Sequence, residues 1–291
     1  MKKILSLYLI LGFFSSMYAE ENITIKIWED KSPVYENGLS QDAEVMENAG
    51  WISMVTDPEL YIYPAENPNG TAMLMCPGGG YYGVAIQHEG KALSDILNEN
   101  GITLGVLKYR MPNGNYNVPA EDVMRALEIM HQNAEKWGIN PERIGIGGAS
   151  AGGHLASTVA THFTDSAFAP AFQFLLYPVI TMDETFTHSG SRQGLLSSNP
   201  SKELVEDFSN ELQVTSTTPP AFIAVSGNDE VVPVKNSLEY FKALNAKKVP
   251  VSLFIYPTGG HGWGYNPNFL HNKEWTSEMI HWFETLFSKN N

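Results

Sequence analysis

Short apolar runs alternate along the chain with longer runs whose apolar positions recur at helical spacing. Ile23-Thr24-Ile25-Lys26-Ile27-Trp28 alternates with period two, as a half-buried strand does. Leu60-Tyr61-Ile62-Tyr63 is stopped by Pro64, and Met73-Leu74-Met75-Cys76 runs into Pro77-Gly78-Gly79-Gly80. Leu104-Gly105-Val106-Leu107-Lys108-Tyr109 precedes a loop rich in Pro, Asn and Gly. Ile144-Gly145-Ile146, residues 172–177, 222–225 and 251–256 complete the predicted strands, and the run at 172–177 is apolar enough for burial on both faces. Residues 119–137 read as an amphipathic helix. Pro119 stands in its first turn with Glu121 and Asp122 at the positive end of the dipole, Val123, Leu127 and Met130 share a face, and Gly138 closes it. Further helices fit 151–162, 234–246 and 274–287.

Strand and helix in alternation predict an α/β fold with a mostly parallel sheet covered on both faces, entered through early antiparallel strands joined by short links. Residues 181–220, rich in Ser and Thr and closing on Thr218-Pro219-Pro220, fit an insertion over the top of the sheet, with 181–212 near the active site. The 291 residues are 43% hydrophobic and 17% charged, a balance that suits one globular domain over residues 20–291 and excludes disorder or a coiled coil.

The first nineteen residues stand apart. Lys2 and Lys3 precede an apolar run from Ile4 to Phe14, and Ser15, Ser16 and Met17-Tyr18-Ala19 follow. This is the pattern of a secretory signal cut after Ala19, and it implies export to the periplasm or the medium. The run is shorter than the roughly 20 apolar residues of a membrane span, and no later stretch is long enough, so no span is expected in the mature chain. The formal charge of −14 repels phosphate backbones and excludes nucleic acid as a partner. Cys76, the single cysteine, allows no internal disulfide and no cysteine-rich zinc site.

The chemistry gathers at four places. Gly148-Ala149-Ser150-Ala151-Gly152 is G-x-S-x-G between a predicted strand and a predicted helix, where a sharp turn lifts the serine above the sheet. The Ala151 N–H then lies at a helix N-terminus, ready for negative charge. The glycine run after the strand at 73–76 offers the N–H groups of Gly79 and Gly80 as the other half of an oxyanion hole, and no Gly-Lys-Ser/Thr follows to make it a nucleotide loop. Asp229 follows the strand at 222–225, and His261 follows the last strand in Gly259-Gly260-His261-Gly262-Trp263, which gives the order Ser, Asp, His. Glu230 is the alternative acid. His154, on the helix after Ser150, reads as a packing residue, His131 falls in a helix, His271 and His281 lie in or near the last helix, and His162 and His188 have no motif beside them. Tyr81, Tyr82, His88, Trp263 and Tyr265 flank the loops and are candidate substrate contacts, with loop packing as the equal alternative for the aromatic rings.

With these residues in place, the sequence resembles the α/β-hydrolase esterases, and within them the secreted acetyl xylan esterase-like group. The likeness is carried by Pro77-Gly78-Gly79-Gly80-Tyr81, by Lys108-Tyr109-Arg110 with Pro119 and Asp122, and by Gly148 to His154. Thr218-Pro219-Pro220, Asp229-Glu230-Val231-Val232-Pro233 and Gly260-His261-Gly262 add to it, so that it covers most of residues 50–287. Many related lipolytic esterases carry His where this chain has Pro77, a departure that puts the carbohydrate-esterase branch ahead. The resemblance implies an α/β-hydrolase fold, a Ser150–His261–Asp229 triad, Arg110 as scaffold, no cofactor or metal, and an acetylated oligo- or polysaccharide such as xylan as partner. A feruloyl esterase, another small-ester carboxylesterase or a peptidase, and a noncatalytic glycan-binding protein stay open as alternatives.

Overall fold

The central strands are apolar at consecutive positions, and this forces them inward. In the computed structural model, which describes residues 22–48 and 50–288, every residue of β5 (Ala72–Cys76), β7 (Thr103–Lys108), β8 (Ile144–Ala149), β9 (Gln173–Leu176) and β10 (Ala221–Ser226) is buried. The export signal read at residues 1–19 lies outside the described residues. With β1 (Ile23–Lys26), β4 (Glu59–Tyr63) and β11 (Val251–Tyr256), these strands form an eight-stranded sheet in the order β1-β4-β7-β5-β8-β9-β10-β11. β4 runs antiparallel to β1 and β7, and every pairing from β7 to β11 is parallel. That is the α/β-hydrolase architecture expected of the sequence, antiparallel entry included.

A second sheet was not foreseen. β2 (Val45–Asn48), β3 (Trp51–Ser53) and β6 (Gly83–Ala85) form a small antiparallel sheet beside the glycine loop. Strands of three or four residues are too short to carry a readable period. The helices are α1 (Ser94–Glu99), α2 (Asn117–Gln132), α3 (Ser150–His162), α4 (Ser189–Leu196), α5 (Lys202–Asp207), α6 (Lys235–Ala246) and α7 (Asn272–Leu286). α2 ends five residues before the expected position at 137. Asn133 turns its Nδ2 back onto the Ile129 carbonyl at 2.9 Å, and the chain leaves through turns to Gly138, whose φ is +65°. An asparagine amide that caps its own helix competes with helix continuation. None of the helices among the described residues is long and apolar enough to cross a membrane.

The register places the chemistry. β5 and β8 are neighbours, with Cys76 opposite Gly148, so the glycine loop and the serine turn leave adjacent strands at one sheet edge. β10 and β11 are neighbours, with Ser226 opposite Tyr256, and the loops holding Asp229 and His261 leave at the same edge. Carboxyl ends of parallel strands are where such sheets bind ligands.

Candidate active site

Ser150 begins α3 directly after β8, with φ at +53°, a conformation that costs a non-glycine residue. Glycines make the turn possible. A Cβ on Gly148 would collide with the Gly152 carbonyl, and one on Gly152 with the Cys76 carbonyl, so α3 lies against the ends of β8 and β5 more closely than any side chain permits. His261 Nε2 stands 2.8 Å from Ser150 Oγ, and His261 Nδ1 stands 2.7 Å from Asp229 Oδ2. The other carboxylate oxygen, Oδ1, accepts the N–H groups of Val231 and Val232, each at 2.9 Å. An ionised carboxylate only accepts, so Nδ1 carries the imidazole proton and Nε2 is left to accept the Ser150 O–H. Gly260 N–H, donated to Asn228 Oδ1 at 3.0 Å, ties the histidine loop to the aspartate loop.

Opposite Ser150 lies the glycine loop. Gly79 and Gly80 both have positive φ, at +146° and +66°. Their N–H groups, and that of Ala151 in the first turn of α3, have no acceptor among the described residues, as three donors aimed at a substrate oxygen require. Tyr109 pins the loop by donating its O–H to the Pro77 carbonyl at 2.8 Å. Arg110 is buried and pairs with Asp122, which also accepts the Trp28 indole N–H at 2.7 Å. This ties the segment after β1 to α2.

Two residues that no sequence signal marked join the loops from behind. Glu89 is buried; its Oε2 accepts the Gly78 N–H at 2.7 Å and its Oε1 the Tyr177 O–H at 2.8 Å. The Tyr177 oxygen in turn accepts the Gly264 N–H at 2.7 Å, and the Tyr177 ring packs edge-on against His261 with centroids 4.8 Å apart. One carboxylate thereby braces the glycine loop and, through Tyr177, the histidine loop. Such contacts join positions 88 residues apart, so no local pattern reveals them.

The remaining candidates divide. Trp263 is buried, donates its indole N–H to Ser226 Oγ at 3.0 Å and stacks on Phe269, so the geometry makes it a packing residue and not a substrate contact. Tyr81 is also turned inward, its O–H bonded to His154 Nδ1 at 2.8 Å. Tyr265 packs against Trp275, and its N–H bonds the His88 carbonyl at 2.8 Å; the exposed His88 ring makes no hydrogen bond or ring contact with the triad. Among the three tyrosines and the tryptophan, Tyr82 alone presents an open face, 45% exposed. His188, passed over in the sequence, approaches the loop: a Cβ on Gly80 would lie 3.8 Å from its Cε1. Burial first, and then the neighbouring His261 charge, hold its pKa below the ordinary histidine value. Glu230 is exposed and bonds neither His261 nor Ser150.

A parallel sheet with a serine at the β8–α3 turn, backed by histidine and aspartate from the last two loops, defines a serine hydrolase of the α/β class. Residues 73–264 match the family model described as alpha/beta hydrolase fold, and the chain belongs to that family. It is 37% identical over 232 residues to an acetylxylan esterase of Xylanibacter ruminicola, an alignment covering 78% of this chain and 48% of that protein. It is 36% identical over 220 residues to endo-1,4-beta-xylanase B of Butyrivibrio fibrisolvens, covering 70% of this chain and 34% of that one. The chain therefore spans half or less of the length of these two curated relatives. Among solved structures, an acetyl ester-xyloside bifunctional hydrolase from Caldicellulosiruptor lactoaceticus superposes with a TM-score of 0.78 at 36% identity, over 91% of this chain and 96% of that one.

Proposed function

We propose that this chain is a serine esterase that removes acetyl groups from xylan-type glycans. The observation that carries the reading is the unbroken line Ser150 Oγ, His261, Asp229, with hydrogen bonds of 2.8 and 2.7 Å, facing three unpaired N–H groups. His261 Nε2 takes the Ser150 proton as Oγ bonds to the ester carbonyl carbon, and the carbonyl π electrons move onto oxygen. That oxyanion sits among the N–H groups of Gly79, Gly80 and Ala151. Asp229 holds the imidazolium that forms. The imidazolium then protonates the departing sugar oxygen as the ester C–O bond breaks, leaving acetyl-Ser150 and a free sugar hydroxyl. Water, deprotonated by His261, attacks the acetyl-enzyme by the same route, and acetate leaves with Ser150 Oγ reprotonated. Each half-reaction is a nucleophilic attack on the acetyl carbon, assisted by the proton transfers of His261 and the three N–H donors.

The names of the relatives supply the substrate class, since two of them pair acetyl esters with xylan or a xyloside. We also propose that the chain is exported after cleavage near Ala19, which the N-terminal sequence of protein recovered outside the cytoplasm tests. The function is tested by acetate release from acetylated xylan and from a small aryl acetate, with wild type beside Ser150→Ala. Release from both substrates, abolished by the substitution, is the expected result. Aryl acetate turnover alone keeps the serine esterase and removes xylan; ferulate release in its place moves the acyl group; no turnover on any ester leaves the glycan-binding alternative.

A further inference from the structure

We propose that the hollow beside Gly80 is a subsite for one neutral pyranose ring, the sugar that carries or adjoins the ester. The inference rests on the esterase reading above and assigns its leaving-group side to particular residues. The hollow has a volume of about 300 Å³ and is lined among others by Met54, Tyr82, Met111, Asn113, Gln193 and Ser197. It adjoins the catalytic centre. A Cβ on Gly80 would lie 3.6 Å from Tyr82 Cδ2, and one on Gly194, at the far wall, 2.6 Å from the Gly80 carbonyl oxygen. Its size is at the lower end of small-molecule pockets, which suits a single ring.

The lining selects the chemistry of the occupant. None of the lining residues is charged, so nothing there pairs with an ionised ligand. Tyr82 offers a broad exposed face, and the half-buried Met54 extends the apolar surface, which together suit the C–H face of a sugar. Around them stand unused polar groups. The Tyr82 and Ser197 hydroxyls and the Gln193 amide make no hydrogen bond to the described residues. Asn113 commits only its Nδ2, to the Asn37 carbonyl at 2.7 Å, which leaves Oδ1 as an acceptor. Apolar faces rimmed by neutral donors and acceptors match a polyhydroxylated ring better than an alkyl chain or a plain arene.

The backbone supports the same place. Seven non-glycine residues with described backbones have positive φ, and four of them line this hollow: Met54 at 51°, Tyr81 at 65°, Asn113 at 44° and Ser197 at 66°. Two more, Ser150 and Tyr177, belong to the catalytic centre, which leaves only Lys248 elsewhere. Strained residues persist where the surroundings hold a required geometry, and such geometry concentrates at ligand sites.

Xylobiose binding is measured calorimetrically on Ser150→Ala protein, alone and combined with Tyr82→Ala or Gln193→Ala. In parallel, kcat/KM of the Tyr82→Ala and Gln193→Ala enzymes is measured on acetylated xylobiose and on 4-nitrophenyl acetate. Xylobiose is expected to bind, and Tyr82→Ala to weaken it at least tenfold. The ratio of the two kcat/KM values should fall at least tenfold with Tyr82→Ala and in the same direction with Gln193→Ala. Xylobiose binding unaffected by either substitution overturns the proposal, as does the absence of binding by xylobiose, cellobiose and mannobiose at millimolar concentration. Tyr82-dependent binding of ferulate without sugar binding also overturns it. Failure of the esterase reading is separate, being the absence of 4-nitrophenyl acetate turnover in the wild type, and the binding arm then still decides the pocket.

Discussion

Acidification should destabilise this protein through one imidazole that is remote from solvent. His154 is fully buried on α3, and burial takes its pKa down from the ordinary 6.5 to about 4. Its Nε2 lies 2.8 Å from the Phe208 carbonyl, which can only accept, so the proton sits on Nε2. Nδ1 then accepts the Tyr81 O–H. The neutral ring satisfies two partners, whereas the charged ring would have to turn the Tyr81 hydroxyl from donor to acceptor and would carry a buried charge. The folded pKa is depressed, so this contribution is complete above the unfolded value near 6.5 and is lost as pH falls toward 4. Below 6.5 the unfolded chain gains a proton that the folded chain refuses, which costs about 1.4 kcal/mol per pH unit and about 3 kcal/mol over the whole window. His154→Gln keeps one donor and one acceptor but does not titrate. Urea unfolding between pH 7 and pH 4.5 should show wild type losing stability more steeply than the variant, by about 2 kcal/mol between pH 6 and 4.5. Carboxylates titrate in both proteins and cancel in the difference. Parallel stability profiles, or a His154 ring titration in the folded protein with a midpoint near 6.5, would refute the reasoning.

Three other outcomes follow from the same contacts. Asp229→Asn can keep the Val231 and Val232 hydrogen bonds through Oδ1 but turns an N–H toward His261 Nδ1, forcing the ring proton onto Nε2. The expectation is a kcat loss of about 10⁴-fold, the size of the same change in a serine protease, with little change in melting temperature. Gly152→Ala drives a methyl group into the Cys76 carbonyl and should cost about 1–3 kcal/mol in chemical denaturation, or shift the serine turn and lower kcat with it. Glu89→Gln leaves an acceptor for Gly78 but sets an amide donor against the Tyr177 oxygen, which already accepts from Gly264; kcat on an aryl acetate should fall about 10-fold or more, and an unchanged kcat would show that Glu89 does not position the loops.

What the sequence revealed were the features that local chemistry dictates. The serine turn was legible because Gly148 and Gly152 are sterically compelled, and the buried strands were legible because an apolar run has one destination in a sheet covered on both faces. The acid and base were legible through chain order, since each follows a strand. Illegible were groups whose meaning depends on distant partners. Glu89 appears as a polar residue in a loop until Gly78 and Tyr177 are seen to converge on it, and His188 lies 38 residues beyond Ser150 with no motif beside it. Trp263 stayed undecided for the same reason: a ring beside a catalytic histidine reads equally as a substrate platform or as loop packing until Ser226 and Phe269 close around it. The early end of α2 depended on one asparagine side chain, below the resolution of helical periodicity.

The strained residues and the glycines explain one another. At Gly148 and Gly152 the chain must approach another backbone, and any side chain would separate them, so the position demands glycine. At Ser150 and Tyr177 the chemistry demands a side chain, a nucleophile in one case and a phenol in the other, so positive φ is tolerated at a cost of roughly 1–3 kcal/mol for each residue. The contacts that hold these conformations are identifiable. The Val179 N–H donates to the Ser150 carbonyl at 3.0 Å, and the Tyr177 N–H donates to the Ala224 carbonyl at 2.7 Å, locking both residues to the segments beside them. Tyr177 is further held by the buried Glu89 carboxylate and by the faces of His261 and Trp263. Strain at the serine and order in the residues behind it are therefore two sides of one arrangement. A hydroxyl held 2.8 Å from its base before substrate arrives needs little reorganisation when the ester binds, and that saving is what the strained turn contributes to the reaction.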